Sequence, residues 1–349
     1  MKRRSEQVKR TPELNEVLFP SRRATLSSCL QDWSVPETGP PAENLVSNED
    51  SYTRVVGELS RLSRQGGTYL GVGPDQNFSL IVAARPGLSL IVDFRRRNAL
   101  LHLVYKALFA LARNRQEYLS RLMSRKIEDI TNQSASPAAL VEAFRLAKFD
   151  RRRLDEDIRE VRRYLQPLNL VTDAEWGEIA TIQAKLAGPG MEARFLGLPG
   201  YPTVGRMIGA TDRSGKVAHF LATEKGYEAV RERQLEDRIL PLVGDFAGTG
   251  AMKRIGDGLR DMSLDLSVVY MSDVEFFLIR AGKFDAYIEN LATMPRADDA
   301  VIVRTSTRPI VHPERVQGDQ CTTIVQDLAR FLERAKAGRI RSADDLFQD

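Results

Sequence analysis

TYLGVGPDQNFSLI, residues 68–81, is the stretch on which the fold turns. Thr68 to Val72 form a short apolar run. Gly71-Val72-Gly73-Pro74 make a turn, and Phe78, Leu80, Ile81 and Ala84 recur at the spacing of a buried helix side. The order is strand, tight turn, helix. A glycine has no Cβ, so such a turn lets a ligand approach the backbone, and the helix behind it presents free N–H groups. Two readings stay open: a ligand-side turn, or punctuation only.

Working outward, the same unit repeats. LSLIVDF (88–94) is apolar without polar alternation, as in a strand buried on both faces of a parallel sheet, and NALLHLVYKALFALAR (98–113) carries a broad apolar helical stripe. Upstream, SNEDSYTRVVGELSRL (47–62) predicts a helix capped by Ser47 or Asn48, with Ser47-x-x-Asp50 approximating a capping box. From 114 to 215 the pattern is mostly helical, then irregular. Ser136-Pro137 opens one helix there, and Thr172-x-x-Glu175 is a second capping box. Strand signals return in RILPLVGD (238–245), in LDLSVVYMSD (264–273) and in DAVIVRTST (299–307), while TTIVQDLARFLERAKAG (322–338) predicts a closing helix.

Strands alternating with helices imply an α/β protein with a doubly wound, mostly parallel sheet. A helical insertion follows the second strand–helix unit. The expected layout is a flexible basic N-terminal arm over 1–46, the first part of a Rossmann-like domain over 47–113, a helical insertion or cap over 114–215, and the second part of the domain over 216–349.

Bulk composition narrows the class. The 349 residues are 42% hydrophobic and 28% charged, which suits a soluble globular chain. The net charge of +4 comes from interspersed residues, so it gives no strong nucleic-acid signal. Cys29 and Cys321 make no disulfide framework, and His102, His219 and His312 make no metal motif. No apolar run approaches the roughly 20 residues of a membrane span, and the basic start has no apolar stretch behind it. A cytoplasmic setting is the expectation.

Candidate site residues fall at strand ends, where open α/β sheets bind ligands. Gly71 and Gly73 form the first corner, with Gln76 and Asn77 directly behind. Asp93 ends the second strand, where a carboxylate accepts hydrogen bonds from both ribose hydroxyls. Gly244-Asp245 closes the third strand; Asp245 there is either an adenine-side acceptor or a helix cap. Tyr270, Ser272, Asp273 and Glu275 close the fourth, facing a ligand or capping the next helix. The dinucleotide fingerprint needs a third glycine, and Gln76 stands in that place after Pro74. The turn therefore suits a ligand without a pyrophosphate, such as S-adenosylmethionine.

YLGVGPDQNF, IVDFRRRN, YKALF, VVYMSDVEFF and especially LATEKGYEAVRERQ…ILPLVGDFAG resemble an uncharacterised bacterial family of Rossmann-fold proteins of the class I S-adenosylmethionine-dependent methyltransferase type. The resemblance spans roughly 47–310. It implies that Gly71 and Gly73 hold the cofactor turn, Asp93 the ribose and Asp245 the adenine side. It supplies no acceptor. The chain departs from the family pattern at Asp273 (Asn in the family), Phe276 (Gln) and Thr249 (Pro). Methyl transfer to an unknown small or medium acceptor is the first functional expectation, with Asp273 and Glu275 as candidate bases, Ser272 on the cofactor side, and Tyr201 and Arg206 as acceptor contacts. No metal cluster is expected. The alternative is a non-catalytic Rossmann-like module that binds an adenosine ligand or a protein partner, with RRRLDEDIREVRR (151–163) as the contact surface. A dehydrogenase ranks third.

Overall fold

The computed structural model describes residues 44–62, 65–128 and 135–348. The expected basic arm lies almost wholly outside them. Its last three expected residues do not: Leu45 and Val46 are buried against the core.

Six strands make one sheet: β1 (Thr68–Gly71), β2 (Leu88–Asp93), β3 (Ile239–Val243), β4 (Leu266–Ser272), β5 (Arg296–Ser306) and β6 (Thr322–Asp327). Their order is β3-β2-β1-β4-β5-β6. The first five run parallel, and β6 runs antiparallel to β5. Strands β1 to β4 are buried along their whole lengths, which is why their sequences read as continuous apolar runs. Pro241 sits in β3 without breaking the sheet because β3 is an edge strand, where a missing N–H is tolerated.

The helices are α1 (Val56–Leu62), α2 (Gln76–Ala84), α3 (Arg96–Leu111), α4 (Arg115–Leu122), α5 (Pro137–Leu146), α6 (Arg151–Leu165), α7 (Trp176–Ala187), α8 (Val204–Ile208), α9 (Glu224–Leu235), α10 (Ala251–Asp261), α11 (Val274–Arg280), α12 (Phe284–Thr293) and α13 (Leu328–Lys336). Helices α4 to α8 fill the chain between the second strand–helix unit and α9, and α6 and α7 pack on α3. Ser136 caps α5 by accepting from Ala139 N–H at 3.2 Å, with Pro137 at the first helical position. Phe78 on α2 centres an aromatic cluster, meeting His102, Tyr105, Phe109 and Phe220 edge-on.

Two local expectations change. Residues 322–327 are the sixth strand rather than the start of the closing helix. Thr322, Thr323, Ile324 and Val325 are β-branched, and the free edge of β5 takes them up. The helix starts six residues later, at Leu328, where Asp327 accepts from Arg330 N–H at 2.7 Å. Nor does Ser47-x-x-Asp50 form a capping box. Ser47 Oγ accepts from Glu49 N–H, while Asp50 reaches across the fold to accept from Gln320 and Cys321 N–H, each at 3.0 Å. Residues 44–51 form a strap over the carboxyl ends of the strands, and α1 begins only after a 3₁₀ turn at Tyr52–Val55.

Candidate functional site

The chain enters the sheet at β1, winds out through β2 and β3, then returns to lay β4 on the other side of β1. Strand order therefore reverses between β1 and β4, and such a point leaves a crevice at the carboxyl ends. A cavity of about 720 Å³ lies there. Gly73, Gln76, Asp93, Gly244, Asp245, Ser272 and Asp273 all line it. Four separately encoded strand ends thus converge on a space within the usual 300–1,000 Å³ of a small-molecule site.

The first corner is built by side chains that the cavity does not see. Asn77 Nδ2 donates to the carbonyls of Val72 (2.9 Å), Gly73 (3.1 Å) and Pro74 (2.8 Å), while its Oδ1 accepts from Tyr69 Oη–H at 2.8 Å. Asn77 is fully buried, so it shapes the turn rather than touching the cavity. Gly71 lies outside the cavity wall as well: a Cβ there would come within 2.2 Å of Asn77 Oδ1. Gly73 differs. Its φ of +87° strains any side chain, and a Cβ would lie 2.7 Å from Gln76 Nε2. His102 holds the Gly73 carbonyl through Nε2 at 2.9 Å, and burial lowers its pKa to about 4, so the ring is neutral. No side chain caps the N-terminus of α2, which follows the turn.

Asp93 and Gly244 form the second corner. Gly244 N–H donates to the Asp93 carbonyl at 2.9 Å, tying the ends of β2 and β3 together. A Cβ on Gly244 would meet Ala251 Cβ at 2.6 Å, so only glycine lets α10 pack this close. The Asp93 carboxylate is 3% exposed and accepts from Arg95 N–H at 2.9 Å. Asp245 is not a helix cap, because α10 begins at Ala251. Its Oδ1 accepts from Ala247 N–H at 2.9 Å, and its Oδ2 faces Lys283 Nζ at 3.3 Å. Phe94 and Phe246, which follow the two acids, add apolar wall.

The end of β4 departs most from expectation. Ser272 has φ +52°, in the left-handed region that a serine rarely adopts. Neither Ser272 nor Asp273 caps α11 through its side chain. Ser272 Oγ donates instead to Glu49 Oε1. Glu49 is 0% exposed and also accepts from Tyr270 Oη–H at 2.9 Å and Thr305 Oγ1–H at 2.6 Å. Burial raises its pKa to about 7 against those hydroxyls, which lower it; the nearby Asp273 raises it further. Asp273 faces the cavity, accepting from Thr307 Oγ1–H at 3.2 Å and Asn48 Nδ2–H at 3.5 Å, and burial raises its pKa too. Glu49 is not among the residues that the sequence singles out, since its only signal is the cluster SNED, which reads as a helix start.

The other candidates lie apart. Glu275, expected as a base, is paired with Arg304 at 2.8 Å and accepts from Tyr287 Oη–H at 3.0 Å, outside the cavity. Tyr201 packs edge-on against Phe195, and it is Phe195 that reaches the wall. Arg206 pairs with Asp50 at 3.3 Å, away from the cavity. The rim carries Arg95, Arg280 and Lys283 beside the exposed Phe277. Two buried acceptors in the wall, Asn44 Oδ1 and Gln76 Oε1, have no hydrogen-bond partner among the described residues. Among those residues no group of three or more His, Cys, Asp or Glu is placed to hold a metal, and no helix is long and apolar enough to cross a membrane.

No curated protein gives a significant match to the chain. A family model described as Domain of unknown function (DUF7790) matches residues 45–176 and 202–349, which is most of the chain and includes every strand, and the protein belongs to that family.

Proposed function

We propose that the cavity binds an adenosine ligand of the S-adenosylmethionine type, and that the protein is a methyltransferase acting on a small or medium acceptor. One observation carries this reading: the Gly73 turn, Asp93 and Asp245 line a single cavity at the strand ends. Asp93 suits a ribose, since it ends β2 in the cavity wall and the oxygens of a carboxylate accept from hydroxyl donors. Asp245 suits an adenine amino group, with Phe94 and Phe246 offering apolar surface to the base. Gln76 Oε1, buried and without a hydrogen-bond partner among the described residues, fits a ligand ammonium. A pyrophosphate is the poorer fit, because Asp273 and Asp93 face the same space.

When bound, such a cofactor supplies a sulfonium methyl for in-line displacement. The chain's own contribution is alignment and proton removal. Fixed strand ends hold the nucleoside, which is the larger part of such catalysis. Asp273, a cavity-wall carboxyl group, takes the proton from an acceptor hydroxyl or amine in this reading. Phe195 and Phe277 offer apolar surface to the acceptor at the mouth.

Melting-temperature titration tests the reading. S-adenosylhomocysteine should raise the melting temperature with a dependence set by concentration over dissociation constant. Asp93→Ala should remove that rise. No rise at millimolar ligand, or a rise with NAD alone, would overturn it.

A further inference from the structure

Around the cavity, acids differ in what neutralises them. Asp93 has the Arg95 guanidinium at 3.6 Å and Asp245 has Lys283 at 3.3 Å. Glu49 and Asp273 form no ion pair with a Lys or Arg among the described residues. They have hydroxyls and one amide instead. Ser272 Oγ lies between them, donating to Glu49 and standing 3.5 Å from Asp273 Oδ1. A hydroxyl between two carboxyl groups can donate to either by rotating, and closing the 3.5 Å gap to Asp273 to an ordinary hydrogen bond lets it take a proton from one side while giving its own to the other. The left-handed backbone at Ser272 is what puts this hydroxyl there.

The network continues inward. Thr305 Oγ1 donates to Glu49 and lies 2.9 Å from Thr323 Oγ1, which lies 2.7 Å from Ser51 Oγ. Either atom can be the donor in the last two contacts, so these hydroxyls can rotate together when Glu49 gains or loses a proton. Glu49 is therefore satisfied in both protonation states. Asp50, next in the chain, is turned to Arg206 and Cys321 N–H, and the other titratable groups that couple to Glu49 from the packed elements are Tyr52, Tyr69, Tyr270 and Cys321. Burial raises the pKa of every one of them, which keeps them neutral near pH 7.

We propose that Glu49, Ser272 and Asp273 form one proton-holding unit in the cavity wall, in which Asp273 meets the ligand, Ser272 Oγ passes the proton and Glu49 stores it beneath the floor. The proposal rests on the methyltransferase reading for its role. In the transfer, the acceptor's lone pair bonds the methyl carbon, the carbon–sulfur pair stays on sulfur, and the acceptor's proton goes to Asp273. Ser272 takes that proton while giving its own to Glu49. Glu49 is a positioning residue for the proton, since it reaches the ligand only through Ser272.

Calorimetric titration in buffers of different ionisation enthalpy tests this on the full chain. S-adenosylmethionine and S-adenosylhomocysteine share adenosine and amino acid, and differ in the sulfonium charge. A cation in the cavity favours the ionised unit. Binding of S-adenosylmethionine at pH 7 should release on the order of half a proton more than binding of S-adenosylhomocysteine. Glu49→Gln should abolish the difference while both ligands still bind. Equal release by the two ligands, or an unchanged difference in Glu49→Gln, would overturn the proposal. Should Glu49→Gln not fold, infrared difference spectra of the natural chain give the same answer: S-adenosylmethionine, and not S-adenosylhomocysteine, should bleach the carbonyl band of a protonated carboxyl group, and an unbleached band overturns it. If neither ligand gives heat, the functional reading itself fails, and that result is separate from binding without a linked proton.

Discussion

Glu275 and Glu49 are both buried carboxyl groups packed against the end of β4, and they have opposite surroundings. Glu275 faces Arg304, whose Nε and Nη2 donate at 2.8 and 3.2 Å, and it also accepts from Tyr287 Oη–H. Glu49 faces three hydroxyls and, among the described residues, no cation. A guanidinium fixes a charge, whereas hydroxyls serve either protonation state. Burial alone therefore does not mark a functional acid. The partner sets differ: an ion pair ties Glu275 to Arg304, while Glu49 is left with hydroxyls, which is what the proposed proton store uses.

The largest expected effect breaks the scaffold pair. Arg304 is 1% exposed, stacks on Phe331 at 4.1 Å and also donates to the Leu346 carbonyl at 3.0 Å. Arg304→Met should cost about 3–5 kcal/mol in chemical denaturation, because it leaves Glu275 buried and unpaired. A loss under about 1 kcal/mol would mean that Glu275 is not held as a charge.

Glu49 should show itself through pH. Its folded pKa of about 7 lies above the unfolded 4.5, so the folded state binds the extra proton between those values. Stability linked to Glu49 is full below pH 4.5, falls as pH rises towards 7, and is lost above it. The loss is on the order of 3 kcal/mol. Glu49→Gln should flatten that part of the profile, measured by denaturant midpoints from pH 4.5 to 7.5. Asp75 and Asp157, each raised to about 6 by burial, also lose their stabilising contribution as pH rises and remain as the background slope in the variant.

Gly73→Ala sharpens the contrast between scaffold and site at the first corner. The φ of +87° and the 2.7 Å approach to Gln76 should cost about 1–3 kcal/mol and displace an unpartnered acceptor of the wall. Thermal unfolding and ligand titration should change together. The smallest effect belongs to Lys283→Ala. Its side chain is 56% exposed opposite Asp245, so stability should move by less than about 1 kcal/mol.

Much of this was legible in the chain. The parallel strands announced themselves as unbroken apolar runs because they are buried on both faces, and their acid-bearing ends followed from where those runs stop. Asp93, Gly244, Asp245, Ser272 and Asp273 stand at those ends, and the structure puts all five in one cavity wall. Two kinds of feature were not legible. Local signals misled where tertiary contacts took the residues: Ser47-x-x-Asp50 has a cap's spacing, yet Asp50 is spent on Gln320 and Cys321. The run 322–327 continues into a helix in sequence but pairs with β5 in space. Long-range partners were invisible as well. Glu49 meets Ser272 and Thr305 across more than 220 positions of chain, and no spacing rule encodes such a meeting. Glu275 looked like Asp273 because the two are neighbours, while the residue that separates their roles, Arg304, comes from another strand.

The most direct measurement is a crystal structure of the full chain with S-adenosylhomocysteine. The ribose hydroxyls should lie on Asp93, the adenine beside Asp245 between Phe94 and Phe246, and the thioether sulfur should face Ser272 and Asp273. A nucleoside bound elsewhere, or one lying in the cavity with its ribose away from Asp93, would contradict this arrangement.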